Sequence, residues 1–180
     1  RVASSVWVQE AHKWTPRLRI AVATTLNWDT VLRSDAQVIV TNYEAIPKLT
    51  LRSFDLVVFD ELTRLKNPSG TRFKALAAMI DHIRIRWGLT GSFTSNGLED
   101  TFGQCKIVDQ SLLGRSKGAF LQQYFVLINP DYGQWAPRRN ALNDVMARIK
   151  PETFVLDAGE YVDTLPPLHI VPLYCDLDDR

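Results

Sequence analysis

The chain is predicted to fold as an α/β domain built on a mainly parallel sheet. Two observations carry this expectation: helical and strand patterns alternate along the chain, and Leu56–Phe59 is a continuous apolar run of the kind buried on both faces of a parallel sheet. Composition agrees, because 46% hydrophobic against 23% charged residues over 180 positions suits one soluble globular domain with a buried core.

The elements follow in order. Trp7, Ala11 and Trp14 stand at helical spacing, and Pro16 ends that helix. Leu18 to Ala23 reads as a strand, Leu26 to Ser34 as a short helix, and Gln37 to Val40 as an apolar strand. Asn42 to Lys48 reads as a helical turn broken by Pro47. After the Leu56–Phe59 strand, Ser69 is expected to cap a helix with Phe73, Leu76, Ala77 and Ile80 on one stripe. Ile83 to Leu89 supplies another strand.

Asn96 and Glu99 have capping-box spacing ahead of a helix carrying Leu98, Phe102, Cys105 and Val108 on one face. Phe120, Leu121, Tyr124 and Phe125 mark a further helix. Asn129 to Arg138, with two prolines and a glycine, is expected to be a loop. Leu142, Val145, Met146 and Ile149 predict the last helix, and Thr153 to Leu156 the last interior strand. Ala158 to Pro167 reads as an exit from the domain.

Several function classes lose support. No apolar run approaches the roughly 20 residues a membrane helix needs, and no signal-peptide pattern opens the chain, so an intracellular, soluble protein is expected. Cys105 and Cys175 are far apart and lack histidines at metal-ligand spacing, which reads as core or incidental thiols. A net charge of +1 demands no polyanionic partner, so any nucleic-acid contact must come from local placement of Arg and Lys. Arg1 leads straight into a helical pattern and Leu173 to Leu177 still reads as a strand, so the chain is expected to be a fragment.

Three strand ends carry the chemistry. Leu56–Phe59 runs into Asp60 and Glu61, and ligands of open α/β sheets bind beyond the carboxyl ends of the strands. A carboxylate there can hold Mg²⁺ and a neighbour can orient or deprotonate an attacking water, so Asp60 is assigned to the metal and Glu61 to the water. Taken alone, the same two acids also fit a strand that merely ends in a polar turn. Arg86 to Ser92 runs into Thr90, Gly91 and Ser92, hydroxyls around a glycine that serve either a site or an ordinary turn. Val38 to Glu44 runs into Thr41, Asn42 and Tyr43, groups that suit phosphate contacts, although Asn42 also fits a cap.

In that order these sites resemble the motifs of Swi/Snf-type superfamily-two helicases and translocases, including related phage helicases. Arg1 to Ser4 is similar to the end of motif Ia, and Trp7 to Trp14 (W-V-Q-E-A-H-K-W) to the helix after it. Val40 to Glu44 is similar to motif Ib, Asp60 to Asn67 (D-E-L-T-R-L-K-N) to motif II, and Leu89 to Asn96 to motif III. Leu165-Pro166-Pro167 is similar to a segment the family carries before its second lobe.

The resemblance implies a RecA-like fold, with residues 1–157 forming part of the first motor lobe and 158–180 leading toward a second lobe. It implies ATP and Mg²⁺ as cofactors, Asp60 and Glu61 serving metal and hydrolysis, and Thr63, Thr90, Gly91 and Ser92 coupling nucleotide state to lobe movement. Arg1, Ser4, Thr41, Asn42 and Tyr43 would line a DNA track, contacting mainly phosphates, so binding would be salt-sensitive and weakly sequence-selective.

Three features depart from the family's pattern. Thr63 stands where many relatives have histidine, Phe93 stands where proline usually follows, and the glycine-rich phosphate loop does not occur. Truncation ahead of motif Ia accounts for the missing loop, and the fragment alone is expected to be inactive. The alternative is a degenerate lobe that binds nucleic acid or protein without hydrolysis; a third reading is an unrelated α/β binding domain. Arg64, Lys66, Arg72 and Lys74 cluster after the acids and either touch DNA or form an exposed helix face, the commoner use of such charges, and Trp135, Arg138 and Arg139 either contact a strand or sit in a solvated loop with one packed ring.

Overall fold

The computed structural model describes residues 2–46, 54–94, 97–156 and 170–172. In order they form α1 (Val2–Trp14), β1 (Ile20–Val22), α2 (Trp28–Leu32), β2 (Val38–Val40), β3 (Leu56–Phe59), a 3-10 turn (Leu62–Leu65) and α3 (Thr71–Ile80). There follow β4 (Ile85–Gly88), α4 (Asp100–Val108), α5 (Lys117–Tyr124), β5 (Phe125–Asn129), β6 (Gln134–Pro137), α6 (Ala141–Ile149) and a 3-10 turn (Lys150–Glu152).

The predicted parallel pairing is present, but in short pieces. β1 pairs with β2 and β3 with β4, both parallel, and these form two separate two-stranded sheets among the described residues. Full burial of Leu56–Phe59 is not observed. Only Phe59 is buried, while Leu56 and Val58 are 37% and 41% exposed. Their register partners Ile85 and Trp87 are exposed beside them, because successive side chains of a strand alternate between faces and one face of this pair is uncovered among the described residues.

Three apolar clusters hold the elements together. Phe59, Leu62, Leu65, Phe73, Leu76, Ile80, Ile83 and Ile107 gather the acid-bearing strand, its 3-10 turn and α3. Ala23, Trp28 and Ala45 form a smaller one, joined to the first through Met79. Around Phe120, whose ring centroid lies 5.2–5.6 Å from those of Phe102, Tyr124 and Phe125, α4, α5 and α6 pack together.

Several expectations are corrected. Asn129 to Arg138 is no loop: a turn with Gly133 at φ 58° and its N–H on the Pro130 carbonyl joins β5 to β6 as an antiparallel hairpin. Arg138 secures it, donating from Nε to the Phe125 carbonyl at 3.2 Å and from Nη2 to that of Gln122 at 3.1 Å. Trp135 packs against the α4–α6 cluster. Thr153 to Leu156 forms no strand and stands exposed, Phe154 at 87%. Having no described strand beside it, its apolar pattern is left without a ladder.

Helix starts also differ. The N-cap of α3 is Gly70, and Ser69 instead takes an Asn67 side-chain oxygen on its N–H. The N-cap of α4 is Glu99 itself, with no side-chain cap bond of its own, while Asn96 of the expected capping box lies outside the described residues. Nor is α4 buried on one face: Thr101 to Cys105 and Ile107 are all buried, because two clusters enclose the helix. Cys105 is a buried free thiol, as a core reading expects. Pro47, Lys48, Asn96, Ala158 to Pro167 and Cys175 lie outside the described residues.

Candidate functional site

The acid pair is looped out by the end of β4. The Leu89 N–H donates to the Phe59 carbonyl at 2.9 Å, and the Leu62 N–H donates to the Leu89 carbonyl at 2.8 Å. The residue that follows the neighbouring strand thus grips the backbone on both sides of Asp60 and Glu61, which project from the ladder as exposed side chains.

Geometry at this loop is unusual. Glu61 has φ 56° and ψ 62°, and among the described residues it alone is a non-glycine with positive φ. A β-carbon disfavours that left-handed region, so the conformation persists only where surrounding contacts determine it. Thr63 supplies one such contact, its hydroxyl donating to Glu61 Oε1.

Thr90 follows directly on Leu89, which places it beside the acid turn. Its hydroxyl accepts from the Ser92 N–H at 3.2 Å, closing the Thr-Gly-Ser turn on itself. Gly91 has no need of glycine's freedom: its φ is not positive and an added β-carbon would meet nothing within 4 Å. The tight position lies two residues before the turn, at Gly88, where a β-carbon would stand 2.4 Å from Leu62 Cδ2 and the buried leucine side chain would have to shift. Close approach of β4 to the 3-10 turn depends on that bare position.

At the end of β2, the Thr41 hydroxyl donates to the Ala23 carbonyl at 3.0 Å, joining the ends of β1 and β2. Asn42 caps its own turn, its Oδ1 accepting from the Ala45 N–H at 3.0 Å. Tyr43 reaches across to the acids: its hydroxyl donates to the Asp60 carbonyl at 2.9 Å. Burial first, and the Asp60 carboxylate next, raise the Tyr43 phenol above the ordinary tyrosine range, so it remains a donor. The structure therefore brings Thr41–Tyr43, Asp60–Thr63 and Thr90–Ser92 to one edge. Arg1 lies outside the described residues, and Ser4 lies on α1, away in sequence from these turns.

Helix α4 backs this edge. Gly103 lies so close to the Lys66 carbonyl that an added β-carbon would stand 2.1 Å from its oxygen. The buried Gln104 donates from Nε2 to the Phe93 carbonyl at 2.9 Å, holding the segment after Thr-Gly-Ser. Lys66 pairs with Asp100 at 3.0 Å.

Sequence reasoning gave no role of their own to Gly88, Gly103 and Glu44, whose contacts are with distant chain. Three of the four basic residues after the acids are paired, Arg64 and Arg72 with Glu44 at 3.3 Å and Lys66 with Asp100 at 3.0 Å, while Lys74 is exposed as a solvated face expects.

A RecA-like α/β frame with polar turns gathered beyond parallel strand ends is the architecture of the SNF2-related domain, whose family model matches residues 2–177; the chain belongs to this family. It is 32% identical over 190 residues to protein p41 of Acyrthosiphon pisum secondary endosymbiont phage 1, an alignment covering 95% of this chain and 41% of that protein. It superposes on the Sulfolobus solfataricus SWI2/SNF2 ATPase core solved in complex with dsDNA, with TM-score 0.62 and 25% identity, over 83% of this chain and 30% of that one. The chain thus spans less than half the length of either relative. No described helix is long and apolar enough to cross a membrane.

Proposed function

We propose that this chain is part of an ATP-dependent DNA translocase or helicase of the Swi/Snf type, coupling ATP hydrolysis to movement along DNA. The observation that carries the reading is the looped-out Asp60–Glu61 pair, pinned on both sides by Leu89 and tied to the β2 turn by Tyr43.

Residues present suit a nucleotide–Mg²⁺ site. Asp60 offers a hard, exposed oxygen donor beyond a parallel strand end. That suits Mg²⁺, which keeps water and phosphate ligands and takes one or two carboxylates from the protein. Asp60 would hold the ion, which when bound neutralises charge on the phosphates. Glu61 would orient or deprotonate the attacking water, and the Thr63 hydroxyl on Oε1 fixes its carboxylate for that task. Thr63, Thr90, Gly91 and Ser92 would couple nucleotide state to movement of a second lobe.

Arg1, Ser4, Thr41, Asn42 and Tyr43 are assigned to the DNA track. Thr41 and Asn42 present the end of β2, while the Tyr43 hydroxyl is committed to the Asp60 carbonyl and its ring packs against the apolar cluster behind the acid turn. Residues 1–157 are assigned to a partial first lobe and 158–180 to the path toward a second.

The test uses the complete polypeptide that contains this chain. ATP turnover should rise on adding DNA, fall steeply with salt, and disappear in Glu61→Gln with the fold intact by circular dichroism. DNA binding without any ATP turnover would favour the non-hydrolysing lobe instead. The 180-residue chain by itself should not hydrolyse ATP; turnover that Glu61→Gln abolishes would refute that expectation.

A further inference from the structure

Two consecutive residues after β2 hold the acid turn from opposite sides. Tyr43 holds the Asp60 carbonyl, immediately before Glu61. Glu44 accepts on one oxygen, Oε1, from Arg64 Nη1 at 3.3 Å and Arg72 Nη2 at 3.3 Å. Arg64 lies in the 3-10 turn capped by Glu61, and Arg72 in the first turn of α3. A single carboxylate oxygen therefore joins three pieces of chain.

Stability does not account for this arrangement. The side chains of Glu44, Arg64 and Arg72 are 59%, 52% and 37% exposed, and ion pairs so exposed contribute about 0–1 kcal/mol each. What the pairs link is position: a shift of the β2 turn either carries the 3-10 turn with it or breaks both pairs, and that turn begins at the strained Glu61.

We propose that Glu44 is a positioning residue that transmits occupancy of the DNA track to the acid turn, through Arg64 and Arg72. This rests on the motor reading above. A strand lodged at Thr41 and Asn42 would move the turn that carries Glu44; Arg64 follows, and the Glu61 carboxylate is reset relative to Thr90. Glu44 touches neither substrate in this scheme. The two arginines share one carboxylate, which leaves a net charge of +1 on the trio.

The experiment compares the complete polypeptide with Glu44→Gln, Arg64→Gln and the double substitution, measuring basal turnover, turnover at saturating DNA, KM for ATP and DNA affinity. Glu44→Gln should lower DNA stimulation at least about fivefold, leaving basal turnover, KM and DNA affinity unchanged. Arg64→Gln should do the same, and the double substitution should lose no more than either alone. Stimulation equal to the parent's, additive losses, or a defect cured by saturating DNA would each overturn the coupling role and leave the motor reading standing. A parent polypeptide without DNA-stimulated turnover would overturn both.

Discussion

Replacing Gly103 with alanine tests the close contact on which the geometry of the site depends. The added β-carbon would stand 2.1 Å from the Lys66 carbonyl oxygen, 2.4 Å from its carbon and 2.8 Å from the Leu65 carbonyl oxygen, against ordinary contacts of 3.4–4 Å. All three obstacles are backbone atoms, which cannot turn aside like the end of a side chain. Helix α4 must then withdraw from the 3-10 turn by about an ångström, at a cost near the upper end of core overpacking, about 3 kcal/mol. Alanine recovers about 1 kcal/mol of helix propensity, leaving a net loss of about 2 kcal/mol. For a domain of this size that lowers Tm by roughly 4–8 °C, read by thermal unfolding followed by circular dichroism. Gly118→Ala is the control: its β-carbon would meet nothing within 4 Å inside α5, so a gain of roughly 0.5–1 kcal/mol is expected. A Gly103→Ala protein that melts at or above the parent's temperature would refute the argument.

Glu61→Gly should raise stability by about 1 kcal/mol, measured by denaturant titration, because glycine adopts the left-handed backbone freely; in the complete polypeptide it should abolish turnover. Gly88→Ala should cost about 1–3 kcal/mol through Leu62, and combining it with Leu62→Ala should cost clearly less than the sum of the single losses in a double-mutant cycle. Burial first, and the Asp109 carboxylate next, push the Cys105 thiol from 9.0 up to about 12. The folded chain therefore keeps that proton where the unfolded chain loses it. This stabilisation is whole below pH 9.0 and disappears as pH rises toward about 12, a slope that Cys105→Ala should remove from stability curves. Native Cys105 should resist alkylation at neutral pH and react on unfolding.

Strand ends were legible because their signal is local: an apolar run followed by polar groups identifies Val40–Thr41 and Phe59–Asp60 without knowledge of neighbours. What decides the geometry between them is not local. Leu89 gripping both flanks of the acid pair, Glu44 joining Arg64 to Arg72, and Gly103 against Lys66 are contacts across 20 to 37 positions of sequence, which no periodicity reports. The hairpin at Phe125–Pro137 was hidden because turn residues occupy its middle and only two partly buried side chains, Trp135 and Ala136, mark β6. Thr153–Leu156 misled in the opposite direction, since β propensity is expressed only where a partner strand supplies a ladder.

Strain at Glu61 gives these contacts a common meaning. A left-handed glutamate is held by its surroundings, and here they act from three directions: Leu89 from β4, Tyr43 from the β2 turn, and Gly103 from α4 through the 3-10 turn. Each of those elements also carries or touches another part of the proposed machinery. Leu89 precedes Thr90, Tyr43 follows Thr41 and Asn42, and α4 holds Phe93 through Gln104. A displacement at any of them changes a restraint on the one non-glycine residue with a left-handed backbone among the described residues. Strain held by neighbours is the proposed route by which they reach the acids, and Glu61→Gly, which removes that strain, tests it.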